Sequence, residues 1–150
     1  MKSVIRLTKI FRFEAAHVLS GYDGPCRNIH GHSYVLEVTI KGIPISEPTH
    51  PKCGMVMDFS QLKKMIHGLI IDPFDHGLMV NAASEDASLF RSAAFPGKII
   101  LLPYQPTCEN MVADFAGKIR EALPEGISLH MLRLHETSSS YADWVAEDNA

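Results

Sequence analysis

His17, Cys26, His30 and His32 are the residues whose types and spacing could do chemistry. Side chains alternate between the faces of a β-strand, so the two histidines of Cys26-Arg-Asn-Ile-His30-Gly-His32 point the same way if they enter one. Residues 32–41, His-Ser-Tyr-Val-Leu-Glu-Val-Thr-Ile-Lys, read as that strand. Tyr34, Leu36, Val38 and Ile40 share the parity of His30 and His32, with Ser33, Glu37, Thr39 and Lys41 on the other face. Upstream, Phe11, Phe13, Ala15 and His17 share a parity opposite to Arg12 and Glu14. Two neighbouring strands would therefore bring three imidazoles to one apolar face. Three neutral imidazoles leave one tetrahedral position open, the arrangement of a catalytic zinc ion rather than a structural one. Cys26 is near enough in the chain to lie beside such an ion. The alternative from the same residues is three buried, hydrogen-bonded histidines with no metal.

The elements that must position these groups are legible as periodicities. Residues 4–17 alternate and form a strand, and the Gly- and Pro-punctuated stretch 19–29 is a loop that carries Cys26. After the strand at 32–41, an irregular connection with Pro44, Pro48 and Pro51 runs to Cys53. Residues 54–59 are a short extended piece that delivers Ser60 as a helix N-cap. Leu62, Met65, Ile66, Leu69 and Ile70 repeat at helical spacing, and Asp72-Pro73 ends the helix. Asp75-His76 then sits on a loop through residue 81, either a plain turn or, if it meets Cys26, a general-base pair. A short helix over 84–92 and a short strand over 98–104 follow. Thr107 caps a second long helix, buried through Met111, Val112, Phe115, Ile119 and Leu123, until Pro124 and Gly126 stop it. Residues 127–136 form a strand of mixed parity, Ser138–Ser140 a turn, and 141–145 a last strand.

At 150 residues the chain is long enough for one domain with a full core, 1–150. A net charge of −3 argues against nucleic acid as the main partner. No apolar run reaches the roughly 18–20 residues of a membrane span. The charged and apolar alternation after Met1 is a strand pattern rather than a signal peptide, and three cysteines make no disulfide framework. The cytoplasm is the expected compartment.

Six stretches follow one another along nearly the whole chain: Phe13-Glu-Ala-Ala-His17, Cys26-x-x-x-His30-Gly-His32, Gly54-Met-Val-Met-Asp58-Phe59, Asp75-His76, Pro106-Thr107-Cys108-Glu109-Asn110, and His135-Glu136-Thr137. Taken together they resemble the 6-pyruvoyltetrahydropterin synthase and 6-carboxytetrahydropterin synthase family. The resemblance implies an α+β tunnelling fold, a four-stranded antiparallel sheet with two main helices on one face. It further implies trimeric β-barrels stacked in pairs as a homohexamer, with active sites between subunits. His17, His30 and His32 would hold Zn2+, and Cys26 would be the proton-transferring thiol. Asp75 and His76 would complete a relay from a neighbouring subunit, Glu136 would anchor the pterin ring, and Thr107 would assist it. The compact Cys-x-x-x-His-Gly-His spacing looks like the carboxy branch, which converts 7,8-dihydroneopterin triphosphate to 6-carboxytetrahydropterin, acetaldehyde and triphosphate on the way to queuosine. The pyruvoyl branch and a non-catalytic zinc- or pterin-binding protein are the alternatives. Met55 and the run Thr-Ser-Ser-Ser-Tyr-Ala-Asp-Trp after Glu136 depart from the family's usual pattern.

Other residues attract attention without a role. His67 is expected in solvent and His135 to be structural, while His130, Trp144, Cys53 and Cys108 have no assignment. Lys9, Arg12, Arg27, Lys41 and Lys98 are the basic candidates for the triphosphate.

Overall fold

The computed structural model describes residues 2–92 and 96–150. Two long strands form its centre, β1 (Ile5–His17) and β2 (His30–Gly42), paired antiparallel along their whole length from Ile5 opposite Gly42 to His17 opposite His30. The alternation read from the sequence is the alternation observed: Phe11, Phe13, Tyr34, Leu36, Val38 and Ile40 are buried, while Arg12, Glu14 and Ser33 are exposed on the opposite face.

The two long helical segments cover the apolar face, while a short helix between them in the chain packs with Ala16, Leu78 and Val80 in a separate cluster. The first, α1 (Phe59–Ile66), continues through a π-type turn (His67–Ile71) into one more turn, α2 (Asp72–Phe74). The second, α4 (Cys108–Ala122), follows a short α3 (Ala87–Phe90). Leu62, Ile66 and Ile70 from the first, with Met111, Phe115 and Ile119 from the second, meet the sheet in one core. Each such side chain, fully removed from water, stabilises the fold by about 1.5–3 kcal/mol.

Among the described residues the sheet has six strands, not four. To β1 and β2 it adds β3 (Gly77–Asn81), β4 (Ile99–Leu102), β5 (Ile127–Thr137) and β6 (Ser140–Val145), in the order β4-β3-β1-β2-β5-β6. The β1, β2, β5 and β6 pairings are antiparallel, whereas β3 joins β1 and β4 joins β3 in parallel. The strand β3 replaces the loop expected at 74–81. It escapes a period-2 reading because Gly77 to Val80 are buried on both faces, as parallel strands are. The mixed parity of β5 is a β-bulge: Thr39 pairs with Met131 but Ile40 with Leu129, so His130 is the extra residue.

Two helix boundaries differ from expectation. Asp58, not Ser60, is the N-cap of α1; its extended backbone lets the carboxylate accept from Ser60 N at 2.8 Å and Ser60 Oγ at 2.7 Å. The helix also passes Asp72-Pro73 and stops at Asp75. In the π-type turn Asp72 N–H donates to His67 O, five residues back, which widens the coil just before the proline ring. Among the described residues no helix is long and apolar enough to cross a membrane.

Candidate active site

The β1–β2 register sets His17 directly opposite His30, and His32 opposite Ala15 on the same face. One potential ligand nitrogen from each imidazole lies within 4.8 Å of the others, so the three could hold a metal ion. Their orientation is set from outside. His17 Nδ1 lies 2.8 Å from Pro106 O, and His30 Nδ1 lies 2.8 Å from Asn28 O. A carbonyl only accepts, so both Nδ1 atoms carry protons and both Nε2 atoms present lone pairs. Those two Nε2 atoms are 3.0 Å apart. Two lone pairs at that distance repel unless a cation lies between them, and Nδ1–H donation to a carbonyl is how metal-ligating histidines are usually held. Among the described residues His32 Nε2 is buried without a hydrogen-bond partner. The donor set therefore fits a divalent ion that accepts imidazole nitrogen.

Burial lowers the pKa of His17 most, and the neighbouring imidazoles lower it further; burial likewise lowers His32. Neutral rings are the form a metal requires.

A cavity of about 310 Å3 adjoins the triad and gathers Cys26, Thr107 and Glu136. Cys26 stands in a 3-10 turn (Pro25–Arg27), its carbonyl accepting from Leu19 N at 3.2 Å. Thr107 caps α4 through Oγ1, which accepts from Asn110 N. Glu136, near the end of β5, brings Oε1 to 3.6 Å from His32 Nε2 and so joins the cavity to the triad. Tyr22 and Cys108 line the same space, and no pattern in the sequence marks them as cavity residues. Cys108 donates to Leu134 O, and burial, with Glu136 and Glu109 nearby, pushes its thiol up to about 11. It is a protonated thiol at neutral pH.

Asp75 and His76 form a pair, Asp75 Oδ2 to His76 Nδ1 at 3.0 Å, and His76 lines a different cavity from Cys26. That cavity, about 440 Å3, is bounded by Gly31–Ser33 of β2 with Glu14 and Lys98. His76 has φ 59°, a left-handed conformation costly for a residue with a side chain. The Glu14 N–H, bonded to Asp75, holds the Asp75 carboxyl below its usual range, and His76 and Lys98 add to this.

The remaining candidates separate. Lys98 is the basic residue beside His76, whereas Lys9 lies over Phe11 and Phe59, and Lys41 shares a distant cavity with Trp144. His135 bonds Glu37 at 3.0 Å, a structural cross-strand contact. His67, expected in solvent, is half-buried with its edge on Phe11 and Nδ1 3.2 Å from Asp72.

A family model described as 6-pyruvoyl tetrahydropterin synthase matches residues 6–147. The 6-carboxy-5,6,7,8-tetrahydropterin synthase of Haemophilus influenzae is 32% identical over 143 residues, covering 94% of this chain and 99% of that one. The structure of Caenorhabditis elegans 6-pyruvoyl tetrahydropterin synthase superposes with a TM-score of 0.66 at 25% identity, over 95% of this chain and 96% of that one. An uncharacterized protein from Wolinella succinogenes shares the fold with a TM-score of 0.76 at 16% identity, over 95% and 98% of the two chains.

Proposed function

The chain belongs to the 6-pyruvoyl tetrahydropterin synthase family, and from that premise we propose that it is a zinc-dependent 6-carboxy-5,6,7,8-tetrahydropterin synthase. It takes 7,8-dihydroneopterin triphosphate and water to 6-carboxytetrahydropterin, acetaldehyde and triphosphate, a step toward queuosine and other 7-deazapurines. The observation that carries this reading is the pair of facing Nε2 atoms on His17 and His30, joined through His32 and Glu136 to the cavity of Cys26.

His17, His30 and His32 would hold the zinc ion, which as a Lewis acid makes carbon beside a bound carbonyl or hydroxyl more acidic. Cys26 gives and takes protons at the pterin side chain. Asp75 accepts the Nδ1 proton of His76 and leaves its Nε2 free to accept another. Glu136 pairs with the guanidine-like edge of the pterin by two parallel hydrogen bonds, with Thr107 at the same end.

Within one chain His76 and Cys26 line separate cavities, so this reading needs a second copy whose His76 reaches the first copy's Cys26. Trimeric barrels stacked as a hexamer would supply it. The outermost strands β4 and β6, each paired on one side only among the described residues, support such association. The reading places one domain of this kind, 1–150, in the cytoplasm.

The test is incubation of the zinc-loaded protein with dihydroneopterin triphosphate, following acetaldehyde and the pterin by mass. Acetaldehyde with carboxytetrahydropterin is the expected result. Pyruvoyltetrahydropterin without acetaldehyde would move the chain to the branch that the matching family model is named for. Bound zinc without turnover would make it a binding protein.

A further inference from the structure

The turn that presents His76 is held at five points. Asp75 N–H donates to Ile71 O at 2.8 Å, the last helical bond of the segment. Glu14 grips the turn twice from β1: its N–H donates to Asp75 Oδ1 at 2.9 Å, and its carbonyl accepts from His76 N at 2.6 Å. The other two bonds come from one side chain. Lys98 Nζ donates to Asp72 O at 2.7 Å and to Asp75 O at 2.9 Å. Both carbonyls belong to the end of the helical segment, where α2 has run out of backbone donors and a cation opposes the negative end of the helix dipole. Lys98 is itself fixed by its backbone, since its carbonyl accepts from Leu78 N at 2.9 Å just ahead of the β3–β4 pairing.

His76 stands immediately after this clamp with a left-handed backbone. A conformation of that kind persists only when its surroundings over-determine it. We infer that Lys98 is a positioning residue for His76: by bridging the Asp72 and Asp75 carbonyls it holds the strained turn that aims the imidazole. The inference rests on the proposed role of His76 in turnover. It also removes Lys98 from the candidates for the triphosphate, because its ammonium is already committed to two carbonyls.

The test compares the full-length, zinc-loaded protein with Lys98→Met, Lys98→Arg, His76→Ala and the Lys98→Met/His76→Ala double variant. Zinc content and far-UV circular dichroism are checked first. Lys98→Met, similar in length but without donors, should lower kcat roughly ten- to a hundredfold, as small misplacements of a reacting group do, with KM nearly unchanged. Lys98→Arg, which keeps charge and donors, should recover most of the rate. In the His76→Ala background, Lys98→Met should cost nothing more, because its effect passes through the imidazole. A wild-type kcat in Lys98→Met would overturn the assignment, as would a loss confined to KM or an additive loss in the double variant. No turnover by the unsubstituted protein would instead remove the proposed function, and the role of Lys98 with it.

Discussion

His17 Nε2 faces His30 Nε2 across 3.0 Å while both rings donate an Nδ1–H hydrogen bond to a backbone carbonyl, Pro106 O and Asn28 O. The arrangement leaves two acceptors and no donor between them, so a bound cation stabilises the folded chain and not the unfolded one. Chelation should therefore lower the melting temperature and zinc should restore it. The shift corresponds to about 4 kcal/mol when free metal exceeds Kd a thousandfold. His17→Ala or His30→Ala should abolish both the bound metal, measured by elemental analysis, and the chelator effect. A melting temperature indifferent to chelator would mean that the three histidines are structural.

The two cavity cysteines should behave differently. Cys108 holds its proton up to about pH 11, so its alkylation by iodoacetamide, followed by peptide mass, should stay slow at pH 8 and accelerate only in strong alkali. Cys26→Ala should keep its metal and lose turnover by roughly a hundredfold or more. Cys108→Ala should lose little.

Glu136→Gln should separate binding from metal content. Replacing the carboxylate with an amide removes a charge-assisted pair with the pterin, worth about 1.5–3 kcal/mol, or roughly ten- to a hundredfold in pterin affinity. Zinc stoichiometry should hold, because Glu136 Oε1 is 3.6 Å from His32 Nε2 and outside the triad. Fluorescence titration with a dihydropterin measures the first quantity and elemental analysis the second.

Acid should uncap the first helix. The Lys52 ammonium and the Ser60 hydroxyl and N–H, in that order, hold the Asp58 carboxyl below its ordinary value of 3.8. A carboxyl depressed in the folded state contributes stability that is fully present above the unfolded value and is lost as pH falls through the folded one. Melting temperature should therefore decline as pH drops below about 4, and Asp58→Asn should flatten that decline. An unchanged slope in Asp58→Asn would show that other carboxylates, such as Asp143 beside Arg133, set the acid limb.

The triad is legible in the sequence because it lies on two strands whose alternation is unbroken. Phe13, Ala15 and His17 on one and His30, His32 and Tyr34 on the other keep a single parity through the whole pairing. The strand β3 is not legible in this way, since Leu78, Met79 and Val80 are buried on both faces and show no period. Ser60 competes with Asp58 as a cap because both residue types suit that position, and only backbone direction decides between them. The clamp on His76 escapes the sequence for another reason. Glu14, Asp75 and Lys98 are distant along the chain and meet only because β3 runs parallel to β1 and β4.

The π-type turn at His67–Ile71 sets where Asp75 and His76 fall along the edge of β1. Such a turn amounts to one surplus residue looped into an otherwise α-helical stretch. Deleting a single residue there, Gly68 for instance, would let the coil close to ordinary pitch and swing everything after it by about 100° around the helix axis. The backbone N–H of His76 would then leave the Glu14 carbonyl that now accepts from it, and the imidazole would move with it. Adding a side chain at Gly68 meets nothing within 4 Å and should leave the histidine in place. The reach of this imidazole is thus written in the count of residues between two core contacts, a length standard that amino-acid substitution leaves untouched and a one-codon deletion erases.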